Sequence, residues 1–569
     1  MKTPRSVLTI LLFISSGYCL AATHYIDFAG GADTNSGTAN TAPWKHAPGM
    51  KGCSGSCSSY SPSAGDRLIF KGGSTWPAES LGLSISRGGS SGSPIYFGVD
   101  TSWYSGSNTG TVSSNGTQVT WGSGTAFQMN GSWAGQSITI NNTNYTISSV
   151  QSPYQMTLTS SAGTQSGVSY SNTAFVRPIF NGGFAVDGIV TTASGVSYVT
   201  LDSIEITGEV MTSSSGGSSS IFIGGSTSGN ITLSNLDVHN WSHGSVSDNS
   251  GSGGGIYNQM YSGLSPNNII LMNSNVGNPE NGGNIGACSR GMQQLTNNHL
   301  HDCSQACLHG CSLVHDNVVR NVGKTFDGST HTNVFYADCF QGTCSGNNLS
   351  NFTAYLYNNW IVDSQGNSTA TGGAAYPNPG TSGVSGTVTY YVFNNVVSCN
   401  TGAGCNLQIA NEIDPYGSSG QKMNVYDWNN TYQLSNGGIC VNVVSRSGAS
   451  VSLVDVRNLQ CISGTSFNSS GAASPTSSNI LNQTVATANQ QGYTAPTWAP
   501  TSGSGGTVGS GLNLSTNCSG TLSALCSGTT LGGTIAPTSR ASSWDIGAYQ
   551  FGGSVSKPAP PTALTGVAH

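Results

Sequence analysis

The residues best suited to chemistry lie in one stretch of a chain that carries few charges. Only 7% of the 569 residues are charged, yet a dense group of ionisable side chains falls between Glu280 and Asp338. Seven of the ten histidines lie in or next to this stretch when His239 and His243 are counted with it. Arginine binds carboxylates through paired charge-assisted hydrogen bonds, and histidine moves protons near neutral pH. The stretch therefore suits a site that binds an anionic sugar.

The candidate site residues all come from this stretch. We expect the catalytic residues to be Arg290, His309, Lys324, Asp327 and His331, and the substrate-binding residues to be Asn333, Tyr336 and Asp338. Four neighbours are expected to satisfy hydrogen bonds of turns instead, namely His299, His301, His315 and Asp316. Cys303, Cys307 and Cys311 lie in the same stretch and allow a zinc site. A chain without CxxC pairs favours disulfides there instead. No residue is assigned to a metal.

Paired carboxylates are the alternative, because inverting glycoside hydrolysis uses two of them about 6.5–9.5 Å apart. Asp327 and Asp338 form one candidate pair. Acids on earlier segments supply the other candidates, which are Asp187, Asp202, Glu205 and Glu209.

Short β-branched or aromatic runs recur through the middle of the chain, each with an asparagine at one place. The asparagines of this column are Asn235, Asn275, Asn298, Asn317, Asn359, Asn395 and Asn458. The first six are spaced by 40, 23, 19, 42 and 36 residues, mostly near one or two multiples of twenty. Short strands without helical periodicity predict a parallel β-solenoid, whose coils bury a continuous core. Asparagine suits its turns because it tolerates left-handed backbone geometry and its amide can bond the next coil.

This repeat positions the candidate site residues. An offset of nineteen residues relates Asn298 to Asn317, so residues nineteen apart are expected on adjacent coils about 4.8 Å apart. The register stacks Arg290 on His309. Both side chains would then belong to one face of the solenoid.

Cysteine use indicates an oxidising compartment. Of 15 cysteines one lies in the N-terminal 22 residues, which leaves 14, an even number suited to disulfides. The nineteen-residue offset places Cys288 beside Cys307, within the window of about 4.4–6.8 Å that a disulfide needs between Cα atoms. Cys303 and Cys311 are then left to pair with each other.

Residues 1–22 are typical of a secretory signal peptide, because Lys2 and Arg5 precede an apolar run and two small residues. Neither this run nor any later one has the roughly 20 apolar residues of a membrane span, so no transmembrane segment is expected. Loss of Lys2 and Arg5 changes the formal charge from −6 to −8. Without a basic stripe to neutralise phosphates, no nucleic-acid partner is expected. We expect a secreted or cell-surface protein whose oligomeric state stays open.

Three features resemble a known family. They are the N-terminal sequences HYIDFAGGADTNSGT, PWK and AGDRLIFKGG, the asparagine-marked runs, and WDIGAYQ at 544–550. Together they span about residues 23–553 and resemble secreted right-handed parallel β-helix proteins of the pectate-lyase-like superfamily, including bacterial members with a DIGAY-type C-terminal motif. The resemblance implies an all-β fold and an extracellular polysaccharide as partner. It implies no single reaction, because the superfamily holds lyases, hydrolases, epimerases and proteins without known activity.

The β-helix lyases of this superfamily imply β-elimination on a uronate-containing glycan, in which the carboxylate is neutralised, the C5 proton removed and the 4-O group expelled. On this chain Arg290 would neutralise the carboxylate, and His309 or His331 would be the base, with Lys324 in reserve. Ca²⁺ is the one cofactor that the resemblance allows, although the sequence lacks a clear acidic calcium cluster. A hydrolase ranks lower, because the Asp pairs of polygalacturonase-type hydrolases are absent. A non-catalytic adhesin or glycan-binding scaffold is the third hypothesis.

The expected organisation follows the repeat and its interruptions. It consists of a signal peptide (1–22), an N-terminal cap with the first coils (23–104), an inserted small β-barrel or sandwich (105–175), the main β-helix (176–465), an irregular C-terminal wrap or cap (466–553) and a Pro-rich tail (554–569). Alternating strands with Asn, Gly and Ser turns indicate the insertion. The wrap is placed where the asparagine column stops, since a solenoid must cover its open end.

Overall fold

The computed structural model of the chain describes residues 21–129, 132–212, 218–225, 228–242, 253–259, 268–279, 286–323, 333–338, 351–364, 373–379, 385–399, 407–416, 419–446, 448–469, 475–540 and 542–552. Nearly all regular structure in these ranges is β-strand. Two short α-helices accompany the strands, α1 (Gly55–Ser59) and α2 (Val485–Gln490). No helix in the described ranges has the length and apolar character needed to cross a membrane.

The strands, in chain order, are β1 Thr23–Ile26, β2 Arg67–Phe70, β3 Thr75–Trp76, β4 Leu83–Ile85, β5 Ile95–Val99, β6 Asn108–Asn115, β7 Gln118–Gly124, β8 Ser137–Ile140, β9 Thr143–Ser152, β10 Gln155–Leu158, β11 Thr164–Asn172, β12 Ile179–Val186, β13 Val190–Thr192, β14 Ser197–Asp202, β15 Glu205–Glu209, β16 Ser219–Ile223, β17 Gly229–Ser234, β18 Asp237–His239, β19 Gly254–Asn258, β20 Ile269–Met272, β21 Asn275–Gly277, β22 Ala287–Thr296, β23 His299–His301, β24 Leu308–His315, β25 Val318–Arg320, β26 Phe335–Asp338, β27 Thr353–Tyr357, β28 Trp360–Val362, β29 Gly373–Asn378, β30 Gly386–Phe393, β31 Val396–Ser398, β32 Ile409–Ile413, β33 Gln421–Trp428, β34 Thr431–Val443, β35 Ser450–Arg457, β36 Gln460–Ser469, β37 Thr476–Ser478 and β38 Leu481–Gln483.

Outside the insertion, the strands stack in parallel into a solenoid with three faces. Face 1 runs from β1 through β2, β5, β14, β17 and β20 to β37. Face 2 runs from β3 through β12, β15, β18 and β21 to β38. Face 3 runs from β4 through β13, β16, β19, β22, β24, β26, β29 and β32 to β34 and β36. The expected all-β, right-handed parallel β-helix is confirmed.

The turn between face 1 and face 2 contains two special positions. The first lies in the left-handed region, with φ between 52° and 58°, and its residues are Ser203, Asn235, Asn273, Asn297, Asp316, Asn358, Asn394, Asn429, Asn458 and Asn479. Asn and Asp tolerate this region better than other residues with side chains. The second position points inward and forms a ladder. Asn298 Nδ2 donates to Asn317 Oδ1 at 3.0 Å, and the same bond links Asn317 to Asn359 and Asn359 to Asn395.

The predicted Asn298–Asn317 ladder is therefore confirmed, but the predicted column mixes neighbouring positions. Asn235 and Asn458 belong to the left-handed position, and Asn275 follows the ladder position, which Ser274 occupies. The error arises because many turns contain two successive asparagines. Alignment by residue type alone can then slip by one residue.

Asn317→Ala is expected to destabilise the protein by about 2–4 kcal/mol, because it leaves several buried polar groups without partners. Asn317 Oδ1 accepts from the backbone and side chain of Asn298, and its Nδ2 donates to Asn359 Oδ1 and Leu295 O. Urea unfolding measures the loss. The exposed Asn489, replaced in the same way, serves as the control. Equal stability of the Asn317→Ala and Asn489→Ala variants would contradict a contribution of the asparagine ladder to the free energy of unfolding.

The predicted disulfides and the stacking of Arg290 on His309 are wrong. The structure has disulfide bonds between Cys288 and Cys303 and between Cys307 and Cys311, with Cα separations of 5.6 and 6.4 Å. Arg290 pairs with Leu308, an offset of eighteen residues. A bulge between Met292 and Gln294 restores the offset of nineteen further along, where Gln294 pairs with Leu313. The extra residue in β24 therefore changes the pairing offset only for the residues that precede the bulge.

The insertion is a closed antiparallel barrel with strand order β10-β7-β6-β11-β8-β9. Its own core contains Val112, Ile138, Ile147 and Trp133. Trp133 Nε1 donates to Phe175 O at 2.8 Å, which ties the barrel core to the chain that returns to the solenoid.

The C-terminal segment wraps the flank of the solenoid as well as its end. Helix α2 and the following loop pack Ala488, Tyr493 and Trp498 against Ile462 of the last coils. The segment then follows the left-handed turn residues. Asn479 Nδ2 donates to Ser510 O, Asn458 Nδ2 to Leu512 O, and Asn394 Nδ2 to Ala524 O and Ser527 O. It reaches back to Asp316, whose carboxylate accepts from Thr530. These amides hold the wrap in place.

Candidate functional site

A column of outward-facing residues runs along face 3, one from each coil. In register order it contains Phe222, Tyr257, Arg290, Leu308, Tyr336, Tyr376, Glu412 and Asn442. Neighbouring strands lie about 4.8 Å apart, so successive side chains are in contact distance. The Phe222 and Tyr257 rings stack 5.8 Å apart, and the Arg290 guanidinium lies 4.9 Å from the Tyr257 ring centre. Phe222, Arg290 and Tyr336 are partly exposed, whereas Tyr257, Tyr376 and Glu412 of the same column are buried.

His309 stands beside this column in a fixed orientation. Its Nδ1 lies 2.7 Å from Asp338 Oδ2, and Gly310 N donates to Asp338 Oδ1 at 3.2 Å. The His309 ring meets the Tyr336 ring edge-on at 5.0 Å. Asp338 is 1% exposed, whereas 15% of the His309 side chain is exposed. The buried carboxylate therefore orients a ring that reaches the surface.

The backbone at His309 is unusual. Its φ is 62°, Gly310 follows at 91° and Cys311 at 20°. Inside a strand such angles are rare for a residue with a side chain, in contrast to the turn positions described above, and residues held in this way cluster at functional sites. The adjacent Cys307–Cys311 disulfide and the bulge of β24 hold the segment in this conformation.

Tyr336 remains protonated at neutral pH. Burial raises the pKa of its hydroxyl above the ordinary value, and the Asp338 carboxylate raises it further. Its ring also packs against Tyr376 at 4.5 Å. Tyr336 is accordingly a hydrogen-bond donor rather than a phenolate.

A second acidic group lies on the following coils of face 3. Asp414 is fully buried, its Oδ2 lies 2.9 Å from Arg446 Nη1, and it also accepts a hydrogen bond from the Tyr376 hydroxyl. Asp338 is in register with Asn378, and the same offset as in the β29–β32 pairing brings Asn378 opposite Asp414. The backbones of Asp338 and Asp414 are thus two strand spacings, or about 9.6 Å, apart.

Four residues of this region were not predicted from the sequence, namely Glu412, Asp414, Arg446 and Tyr376. One signal was present. Glu412 and Asp414 are two of only 22 acidic residues in the chain, and residues two apart on a strand point to the same side. The long intervals between these coils hid their relation to Asp338.

The predicted site residues fall into three groups. Arg290, His309, Tyr336 and Asp338 lie on neighbouring strands of face 3. Asn333 is fully buried, and its Oδ1 accepts from Gly373 N at 2.9 Å, so it supports the coil beneath the site. Lys324, Asp327 and His331 lie outside the described residues.

The residues assigned to turns and the earlier acids lie elsewhere. His315 Nδ1 approaches Asp316 Oδ2 at 2.6 Å beside the asparagine ladder. Asp202 accepts from Tyr96, Ser234 and Asn235 at the end of β14 on face 1. None of the earlier acids Asp187, Asp202, Glu205 and Glu209 belongs to the described strand segments that carry the His309 cluster.

Comparison with known proteins gives only weak likeness to solved structures. No protein-family model matches the chain, and no curated protein matches it. A GH136 lacto-N-biosidase from Eubacterium ramulus aligns at 12% identity over 82% of this chain and 68% of that chain, with a TM-score of 0.40. Pectate lyase Pel9A aligns at 12% identity over 93% and 97% of the two chains, with a TM-score of 0.37. A Pseudomonas phage phi297 tailspike, gp61, aligns at 11% identity over 74% and 68%, with a TM-score of 0.23. These similarities are too low to assign a reaction.

Proposed function

We propose that this chain is an exported enzyme that cleaves a uronate-containing polysaccharide by β-elimination on face 3. One observation carries the proposal: His309 is held by a buried carboxylate, beside a protonated tyrosine, on the strand next to Arg290. Base, acid and cation are the three groups that β-elimination at a uronate requires.

Each group has one role in the reaction. Arg290 pairs with the uronate carboxylate and stabilises the negative charge that develops there. His309 Nε2 takes the C5 proton, while Asp338 holds Nδ1–H and stabilises the imidazolium. The C4–O4 bond then breaks, the C4=C5 double bond forms, and Tyr336 donates its hydroxyl proton to the departing oxygen. His309 returns its proton to the phenolate, so the enzyme is unchanged.

The partly exposed end of the column suits contact with a sugar. Phe222 is half-buried and stacks on the buried ring of Tyr257, on the coils that precede Arg290. Sugar rings bind aromatic faces through their C–H groups, and strands about 4.8 Å apart repeat at a spacing close to that of one residue of a polysaccharide. A polysaccharide lying along face 3 would therefore meet the Phe222 ring before it meets the proton-transfer groups.

Hydrolysis is the second candidate, because Asp338 and Asp414 occupy the same outward position two strands apart. Inverting hydrolases hold their carboxyl groups about 6.5–9.5 Å apart. In this chain both carboxylates already have basic side chains as partners, His309 and Arg446. This pairing favours support over acid catalysis and ranks hydrolysis second.

Product chemistry tests the proposal. The purified mature protein, incubated with a panel of uronate polysaccharides, is expected to produce the ultraviolet absorbance of unsaturated uronate. Arg290→Ala should lower kcat/KM on the anionic glycan on the order of 10²-fold, with unchanged Tm, because a charge-assisted pair with the carboxylate is lost. Arg87, which is exposed, provides the matched Arg→Ala control. Sugar release without absorbance would support hydrolysis, and binding without any product would support a scaffold.

A further inference from the structure

We infer that Glu205, Asp237 and His239 form a binding site for one divalent metal ion of the zinc type on the outer side of face 2. Glu205 and Asp237 are direct partners on the adjacent strands β15 and β18. His239 follows Asp237 by two residues and so points to the same side of β18. One ligand atom from each of the three residues lies within 4.8 Å of the other two.

The distance between His239 and Glu205 matches that between two ligands of one metal ion and is long for a charge-assisted hydrogen bond. His239 Nε2 lies 3.4 Å from Glu205 Oε1. Zinc–nitrogen and zinc–oxygen bonds of roughly 2.0–2.2 Å give a tetrahedral ligand–ligand edge of about 3.4 Å. A charge-assisted hydrogen bond is shorter, at about 2.7–2.9 Å.

Other histidines of the chain show the contrast directly. Four other His–carboxylate pairs in the described ranges use Nδ1 at 2.6 to 2.8 Å, and these pairs are His46–Asp33, His301–Asp302, His309–Asp338 and His315–Asp316. The His239–Glu205 pair alone among these five uses Nε2 and has the longer separation. This separation allows both atoms to bind one ion that lies to the side of the line joining them.

The charge around the three residues matches a divalent cation. Glu205, Asp237 and Asp202 are the acidic neighbours of the buried Arg177. Together, these three carboxylates and the Arg177 guanidinium carry two net negative charges. The guanidinium of Arg177 donates to Asn235 O, Gln128 Oε1 and Met129 O, which are all neutral groups.

Further contacts orient the ligands and favour zinc over calcium. Asn275 Nδ2 donates to Asp237 Oδ1 at 2.8 Å, and Asn275 Oδ1 in turn lies 2.8 Å from His299 Nδ1. Such outer hydrogen bonds fix the direction of a metal ligand. One imidazole nitrogen with two carboxylates suits Zn²⁺, with water as a fourth ligand, whereas Ca²⁺ takes six to eight oxygens. The ion would join two coils, away from the groups on face 3.

Metal content measured by mass spectrometry tests this site. Untagged protein is stripped with a chelator, dialysed against ZnCl₂ and then against buffer, and the bound zinc is counted per chain. The parent should retain one more equivalent than His239→Ala or Glu205→Gln, and zinc should raise its Tm by a few degrees through mass action. His315→Ala, which removes a histidine paired with Asp316, should retain the parent's zinc.

Two outcomes would overturn the assignment. The first is equal zinc content in the parent and both site variants. The second is retention of Ca²⁺ in place of Zn²⁺ when both are offered at equal concentration. Circular dichroism of each stripped variant shows that it is folded, and the isosteric Glu205→Gln change keeps the test valid if His239→Ala unfolds.

Discussion

His309→Ala should lower kcat/KM on the uronate substrate by on the order of 10²–10⁴-fold, the usual contribution of a positioned general base. The ring is held by Asp338 at 2.7 Å, and its exposed part reaches the surface next to Tyr336. Initial rates of absorbance increase measure the effect. Because alanine also removes a partner of a buried carboxylate, Tm is measured alongside activity.

Two matched variants separate catalysis from support. His315→Ala removes a histidine that pairs with Asp316 in the same way but lies beside the asparagine ladder, so activity should persist. Asp338→Asn keeps the shape of the side chain but stabilises the imidazolium less, so it should lower kcat more than it raises KM. Full activity of His309→Ala, with loss of activity in Asp414→Asn, would reject elimination in favour of carboxylate chemistry.

Glu209→Gln should stabilise the protein by about 2–4 kcal/mol at pH 8 and change little at pH 4. Glu209 is fully buried, and neither carboxyl oxygen has a hydrogen-bond partner among the described residues. Burial, with a smaller contribution from the nearby Asp187 carboxylate, raises the pKa of Glu209 to about 9. The folded chain thus keeps a proton at neutral pH that the unfolded chain releases.

The pH dependence of the stability contribution of Glu209 follows from the difference between its pKa in the folded chain and in the unfolded chain. The unfolded carboxyl has a pKa of about 4.3, so the full stability contribution is present below that pH. It declines as the pH rises towards the folded value of about 9, because the unfolded chain then binds fewer protons. Urea unfolding at pH 4 and pH 8 measures both ends. Glu79, which is exposed, supplies the Glu→Gln control. An equal effect of Glu209→Gln at both pH values would contradict the buried-proton argument.

The fold was predictable because its determinants are local. Each coil repeats a short apolar strand and a turn that favours Asn, and these features are visible without knowledge of distant contacts. The Asn298–Asn317 ladder follows from them. The disulfide partners of Cys288 and Cys307 do not, because a single extra residue in β24 changes the offset from nineteen to eighteen. No local sequence pattern predicts such a bulge.

The candidate site was predictable only in part, for a related reason. His309, Tyr336 and Asp338 lie within thirty residues of one another, so their clustering in sequence suggested clustering in space. Asp414 and Arg446 join the same face from later coils. Their alignment depends on the lengths of the intervening turns, which vary from coil to coil between the left-handed residues. Composition alone cannot supply that register.

The C-terminal wrap changes how the solenoid can come apart. A stack whose coils contact only their neighbours frays from its ends, one coil at a time. Here one segment bonds Asn479, Asn458 and Asn394 and reaches Asp316, so coils far apart in sequence share a single tie. Peeling the last coil breaks contacts that also hold the middle of the stack. We therefore expect the C-terminal wrap to make these repeats, the His309 coil included, unfold as one cooperative unit.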